Sequence, residues 1–146
     1  IGTHFFNPVH IMKLLEIVHH SDNTQEDIDA ALSLAEHLGK DPILVRNSPG
    51  FATSRLGVAL GMEAIRMYEE EVASAEDIDK AMVLGYRHPI GPLKLTDLVG
   101  LDVRMAIGSY LHETLNNPAF EPPDTMKEMV KQGKLGKKTG EGFYRW

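Results

Sequence analysis

Ile43-Leu44-Val45-Arg46-Asn47-Ser48-Pro49-Gly50 is the stretch on which the organisation of this chain turns. Its first three residues are the large and β-branched types that suit a short strand. Its next turn-forming residues each end regular structure for a different reason. Asn47 and Ser48 offer side chains that compete for local backbone hydrogen bonds, Pro49 has no amide hydrogen, and Gly50 opens conformations closed to other residues. A strand therefore ends here, and the domain boundary falls between residues 47 and 48.

Working back from that point, the pattern is strand-like. Residues 2–6 (Gly2-Thr3-His4-Phe5-Phe6) and 13–18 (Lys13-Leu14-Leu15-Glu16-Ile17-Val18) read as two strands, with Asn7-Pro8 as a turn between them. Thr24 and Asp27 have capping-box spacing and open a helix. Ile28, Ala31, Ala35 and Leu38 form its expected apolar stripe, and Gly39 suits its end. Three strands in so short a segment make a poor sheet alone. They read as the last strands of a larger one. The chain opens on Ile1 rather than Met and runs straight into an apolar stretch, which reads as a processing or proteolytic boundary.

Working forward, the pattern is helical. A long helix is expected over 51–70, with Leu56, Leu60, Ala64 and Met67 inward and Glu63 on the same stripe as a buried anchor. Gly57 and Gly61 leave a small-residue strip for a neighbouring helix. They cost about 1 kcal/mol each in helix propensity, so a tertiary contact must offset them. Ser74, with Asp77, caps a helix running to about Leu84. Residues 88–92 are a rigid turn, and 93–99 a short helix ended by Gly100. Residues 102–115 form a helix with Val103, Ala106, Ile107, Tyr110 and Leu111 expected inside. Pro122 and Pro123 open a last helix ending near Gly133. The fold class is mainly α: a helical domain, residues 48–146, preceded by a β-α-β segment, residues 1–47.

Composition narrows function by exclusion. The 146 residues are 42% apolar and 25% charged, which is ordinary for a packed domain. The net charge of -6, with both signs interleaved, offers no basic footprint for nucleic acid. With no cysteine, disulfides and thiolate metal sites are excluded. No apolar run has the length to span a bilayer. His19 and His20 are adjacent on a presumed strand and so face opposite sides, and with His10 they make no metal site; none is expected. Lys134, Lys137 and Lys138 form either a phosphate patch or a solvated tail, and Met62, Met67, Met126 and Met129 read as core or interface residues.

His4 and Glu16 carry the chemistry. If their strands are neighbours, imidazole and carboxylate can meet across the pair. Imidazole takes a proton near neutrality, and a carboxylate on its other nitrogen fixes the tautomer and stabilises the imidazolium. That suits oxidation of an alcohol. On spacing alone, a hydrogen-bonded core histidine and an unrelated surface glutamate fit more readily.

Resemblance adds to this. Thr3-His4-Phe5-Phe6-Asn7-Pro8-Val9, Met12-Lys13-Leu14-Leu15-Glu16-Ile17-Val18, Pro49-Gly50-Phe51, Arg55-Leu56, Pro89-Ile90-Gly91-Pro92 with Asp97, Gly100-Leu101-Asp102, and the ending Leu135-Gly136-Lys137-Lys138-Thr139-Gly140-Glu141-Gly142-Phe143-Tyr144 together resemble the 3-hydroxyacyl-CoA dehydrogenase family. They fall in family order over nearly the whole chain. The resemblance implies a Rossmann-type NAD-binding domain, of which residues 1–47 would be the incomplete end. It implies that residues 48–146 form a helical substrate and dimerisation domain and that the chain is a homodimer. It implies oxidation of the (S)-3-hydroxyl of an acyl-CoA by NAD, in fatty-acid β-oxidation or the hydroxybutyryl-CoA step, in the cytoplasm or a mitochondrial matrix. It implies His4 as general base, Glu16 as its orienter, Asn7 near nicotinamide and substrate, and Lys138 toward NAD.

Three departures stand out. Ser54 occupies the place of a substrate-holding asparagine, and a hydroxyl is shorter and lacks the amide's second group. Gly85-Tyr86-Arg87-His88 replaces a more glycine-rich run, and Ile90 stands where Met is common. Nowhere does Gly-x-Gly-x-x-Gly follow a strand, so NAD binding by these residues alone is expected to be negligible and the fragment inactive. The competing expectations are a non-catalytic helical dimerisation module, and a hydroxy-acid dehydrogenase acting on a free acid.

Overall fold

The computed structural model describes residues 1–146. It divides into two compact units, Ile1–Thr53 and Ser54–Trp146.

The first unit holds β1 (Gly2–Phe5), β2 (Leu14–His19), α1 (Gln25–His37) and β3 (Asp41–Arg46). The strands lie in the order β1-β2-β3. β1 runs antiparallel to β2, and β2 parallel to β3. The central strand is the buried one. Leu15 and Ile17 point to one face and pack with Ala31, Leu32 and Ala35 of α1. Alternation sends Glu16 to the other face, equally buried. Both ends of α1 are closed by local signals. The Thr24 hydroxyl accepts from the Asp27 amide, and the Asp27 carboxylate accepts from the Thr24 amide. At the far end Gly39 adopts a φ of 69°, and the Gly39 and Lys40 amides donate to the Glu36 and Ala35 carbonyls. The stripe is shorter than expected: Leu38 lies beyond the helix and is half exposed. On β3, Ile43 and Leu44 are also exposed.

The second unit is helical. It holds almost all of α2 (Thr53–Glu69), then α3 (Ala75–Lys80), α4 (Pro92–Val99), α5 (Leu101–Leu115) and α6 (Asp124–Lys131). A π-helical turn, Ala81–Gly85, extends α3, as the expected helix to Leu84 requires. Val58, Met62, Ile65, Ile78, Leu93, Leu111, Phe120 and Met126 form its core. No helix is long and apolar enough to cross a membrane.

Two helix faces differ from the sequence expectation. In α2 the buried side runs through Val58, Gly61, Met62, Ala64 and Ile65, so Ala64 is inward as expected while Leu56 is 72% exposed. Glu63 is no buried anchor: it is exposed and pairs with Arg66 at 3.0 Å. In α5 the buried side is Leu101, Arg104, Gly108 and Leu111, while Val103, Ala106 and Tyr110 face outward. Small residues decide both. A Cβ on Gly61 would lie 2.5 Å from an Arg104 guanidinium nitrogen, and one on Gly108 would lie 2.3 Å from the Met62 methyl. Close approach at these glycines fixes each helix's rotation and overrides the largest apolar stripe. Gly57 has no neighbour at its missing Cβ, so it is not part of such a strip. Its carbonyl instead accepts from Arg104.

Two buried carboxylates close this unit. Asp79 accepts from the Leu93 and Lys94 amides and the Tyr144 hydroxyl. Burial, followed by the hydrogen bond to Asp79, raises the Tyr144 phenol well above its ordinary range. Asp97 accepts from the Phe143 and Tyr144 amides and the Trp146 indole N–H. The glycine- and lysine-rich end is thereby folded back onto α4. Asp97 is the anchor, and Gly142 passes it with no room for a Cβ.

Candidate active site

β1 and β2 place His4 directly opposite Glu16 in register. His4 Nδ1 lies 2.7 Å from Glu16 Oε2. Glu16 has no exposed surface, so both its oxygens need partners from the protein. They have them. Oε1 accepts from the Ala52 amide at 3.1 Å and the Thr53 amide at 3.0 Å. Oε2 accepts from His4 and from the Thr53 hydroxyl at 3.0 Å. Desolvation raises the carboxyl's pKa, but the hydrogen bonds from His4, Thr53 and Ala52 together outweigh it and hold the pKa below the ordinary carboxylate value.

The charge state settles the tautomer. An ionised carboxylate only accepts, so His4 must carry a proton on Nδ1. In neutral imidazole the lone pair then sits on Nε2. His4 is about one-third exposed, and Nε2 takes no hydrogen bond within the unit. The ring is held by its neighbours. Phe6 meets it edge-on at 4.8 Å between centroids, and Phe51 at 5.5 Å.

The turn after β3 makes the clamp on Glu16. Gly50 and Phe51 are both left-handed, with φ of 76° and 48°. This reverses the chain and aims the next two amides at one carboxylate oxygen. These are amides at a helix start, which lack partners inside the helix and favour an anion. An open cleft of about 430 Å³ lies beside them, lined by Thr3, His4, Val18, His20, Asn47 and Phe51. His20 and Asn47 directly follow the ends of the two parallel strands, the place where open α/β sheets receive ligands.

The other expected residues are each described within their own unit. Asn7 is exposed in the loop after β1, where its bond to Pro8 is cis. Ser54 is half-buried in the first turn of α2. Lys138 is paired with Asp102 at 2.5 Å. Lys134 pairs with Glu141, and Lys137 lies over the Trp146 ring. The sequence reading missed Thr53, the Ala52 amide and the aromatic rings beside His4. Gly50 ahead of a helix start was the available signal for the amides. Nothing local marked Phe51 as left-handed.

A histidine whose Nε2 is free, oriented by a buried carboxylate beside the ends of parallel strands, is chemically able to take and return a proton. The profile of the 3-hydroxyacyl-CoA dehydrogenase C-terminal domain matches residues 50–146, and that of the 3-hydroxyacyl-CoA dehydrogenase NAD binding domain matches residues 1–48. The chain belongs to the 3-hydroxyacyl-CoA dehydrogenase family. Mitochondrial hydroxyacyl-coenzyme A dehydrogenase of Sus scrofa is 45% identical over 146 residues, which cover 99% of this chain and 46% of that protein. The 3-hydroxybutyryl-CoA dehydrogenase of Clostridioides difficile is 41% identical over 144 residues, covering 99% and 51%. The crystal structure of (S)-3-hydroxybutyryl-CoA dehydrogenase from Ralstonia eutropha superposes with a TM-score of 0.94 at 43% identity, covering 99% of this chain and 51% of that one. The chain thus spans about half the length of these relatives.

Proposed function

We propose that this chain carries the proton-transfer site of an NAD-dependent (S)-3-hydroxyacyl-CoA dehydrogenase, with His4 as general base and Glu16 as its orienter. The observation that carries the reading is the 2.7 Å contact between His4 Nδ1 and a Glu16 carboxylate held at both oxygens. As the 3-hydroxyl of the substrate becomes a carbonyl, its proton passes to His4 Nε2. The imidazolium that forms is stabilised by Glu16 without proton transfer to the carboxylate. In the reverse direction the same Nε2–H donates to the carbonyl oxygen. NAD, when bound, supplies the hydride acceptor.

Residues 1–47 act as the end of an NAD-binding domain in this reading, and residues 48–146 as a substrate and dimerisation domain. The cleft beside His4 fits the reacting end of a dinucleotide, because it lies at strand ends and offers His20 and Asn47 as polar contacts. No phosphate-cradling Gly-x-Gly-x-x-Gly lies within these residues. Asn7, Ser54 and Lys138 are the proposed contacts to substrate and cofactor, and Lys138 must leave Asp102 to serve. The uncharged outward residues Val103, Ala106 and Tyr110 of α5 support a second copy as partner.

The test is His4→Gln in a polypeptide where this chain follows a complete dinucleotide-binding domain, with 3-hydroxyacyl-CoA-dependent NADH formation as readout. Turnover should be abolished, and a near-normal rate removes the base assignment. Calorimetric titration of the 146-residue chain with NAD should show no micromolar binding; such binding would place a cofactor site within these residues after all.

A further inference from the structure

We infer that Thr53 is a positioning residue for the His4–Glu16 pair, its hydroxyl fixing the Glu16 oxygen that orients the imidazole. This inference rests on the reading of His4 as the base.

Glu16 is held from two directions. The Ala52 and Thr53 amides grip Oε1, and they are backbone groups present whatever side chain follows. Oε2, the oxygen His4 uses, has only side-chain partners: His4 at 2.7 Å and the Thr53 hydroxyl at 3.0 Å. Rotation about the terminal torsion of a glutamate is soft and roughly two-fold. With Oε1 gripped alone, the carboxylate can still swing about that grip and carry Oε2 away from Nδ1. The Thr53 hydroxyl is the second point that stops the swing. Its own direction is restricted, because a β-branched side chain at a helix start has few χ1 choices.

The hydroxyl has a second effect. It shares Oε2 with His4 and is one of the donors that keep Glu16 ionised. His4, from β1, is the titratable group in contact with this carboxylate. Ala52 and Thr53, from the segment after β3, contribute neutral donors only. Loss of the hydroxyl therefore lets Glu16 protonate at higher pH and removes the acceptor from His4 Nδ1 over a wider acid range.

Thr53→Val keeps the volume and the branch and deletes only the hydrogen bond; Thr53→Ser keeps the hydroxyl. Both are compared in the 146-residue chain by carbon NMR titration of the Glu16 carboxyl. They are compared again, joined to a dinucleotide-binding domain, by kcat, KM and the pH dependence of kcat/KM. In Thr53→Val the Glu16 midpoint and the acid limb of the profile should both move up, and Thr53→Ser should restore both. Turnover in Thr53→Val should fall about tenfold with KM unchanged, the order expected for one hydrogen bond to a charged group. An unmoved Glu16 midpoint overturns the assignment, as does a lowered melting temperature with unchanged kcat. Retained turnover in His4→Gln overturns the base reading instead, and the NMR comparison then decides the Thr53 contact by itself.

Discussion

Glu16→Gln changes chemistry at two atoms and shape at none, so its outcome can be worked from the hydrogen bonds. The amide has one acceptor oxygen and one donor nitrogen in place of two acceptors. If the oxygen takes the Oε1 place, it keeps the Ala52 and Thr53 amides. The nitrogen then faces His4 Nδ1 and the Thr53 hydroxyl, which can turn to accept. If the amide is reversed, two buried N–H groups face a third donor, at about 1–3 kcal/mol each. The first orientation wins by roughly 2–6 kcal/mol. It forces His4 to accept at Nδ1 and carry its proton on Nε2, the wrong tautomer for a base. The expected loss in kcat/KM is about 10³–10⁴-fold, the order seen when a triad carboxylate becomes an amide and inverts the histidine. Steady-state kinetics gives the rate, and nitrogen NMR of His4 gives the tautomer. A rate within tenfold of wild type, with Nε2 protonated in the resting variant, would refute the reasoning. The acid side of stability is a second readout. The pKa of Glu16 in the fold lies below its ordinary 4.5, so its contribution is complete above that value and is lost as pH falls through the lowered one. The stability gap between wild type and Glu16→Gln should narrow over that acid interval. A constant gap would mean that Glu16 is not ionised by its donors.

Three further outcomes follow from the helical unit. Asp97→Ala leaves two amides and an indole N–H without an acceptor, so chemical denaturation should show a loss of about 3 kcal/mol or more; a loss under about 1 kcal/mol would mean that water takes its place. Arg104 is 5% exposed, donates to the Gly57 carbonyl and has an unpartnered Nε, and burial lowers its pKa to about 10. Arg104→Met should therefore raise stability by about 1 kcal/mol, since a buried charge without a counter-ion costs more than its packing returns; a clear fall in denaturation midpoint contradicts this. If the chain pairs through the outward face of α5 as proposed, Tyr110→Lys places a charge in that interface and should shift sedimentation from dimer to monomer; a wild-type monomer, or a dimer unchanged by the substitution, would remove this interface.

The parts legible in the sequence are those set by neighbours in the chain. Thr24 with Asp27, Gly39 after α1, and Ser74 before α3 are local signals, and each closes its helix as read. The His4–Glu16 pairing needed only two adjacent strands in one register, but spacing alone favoured an unrelated pair, and it was the family resemblance that made it legible. The inward faces of α2 and α5 were legible only in part: Ala64, Met67, Ile107 and Leu111 pack inward as read, while Leu56, Val103, Ala106 and Tyr110 do not. Periodicity marks where large apolar residues recur, but the buried faces were chosen by Gly61 and Gly108, where a side chain from elsewhere in the unit fills the missing Cβ. Asp97 was visible only as a letter in a motif, because its donors lie 46, 47 and 49 residues away.

The breaker cluster 47–50, read in the sequence as a domain boundary, leads directly into the residues that hold the proposed base and its orienter. A left-handed φ on a residue with a side chain costs about 1–3 kcal/mol, and Phe51 carries one at 48° directly after Gly50. Such a residue persists only where its surroundings compensate. Here the same turn places the Phe51 ring beside His4 and aims the Ala52 and Thr53 amides at Glu16. A glycine in place of Phe51 would adopt the turn without strain but would give His4 no ring. A residue held to negative φ would keep neither amide on target. The strain at Phe51 is thus the local cost of bringing four contacts to the His4–Glu16 pair out of five consecutive residues, 49–53. The position that looks most like a linker in the sequence is, on this reading, part of the site.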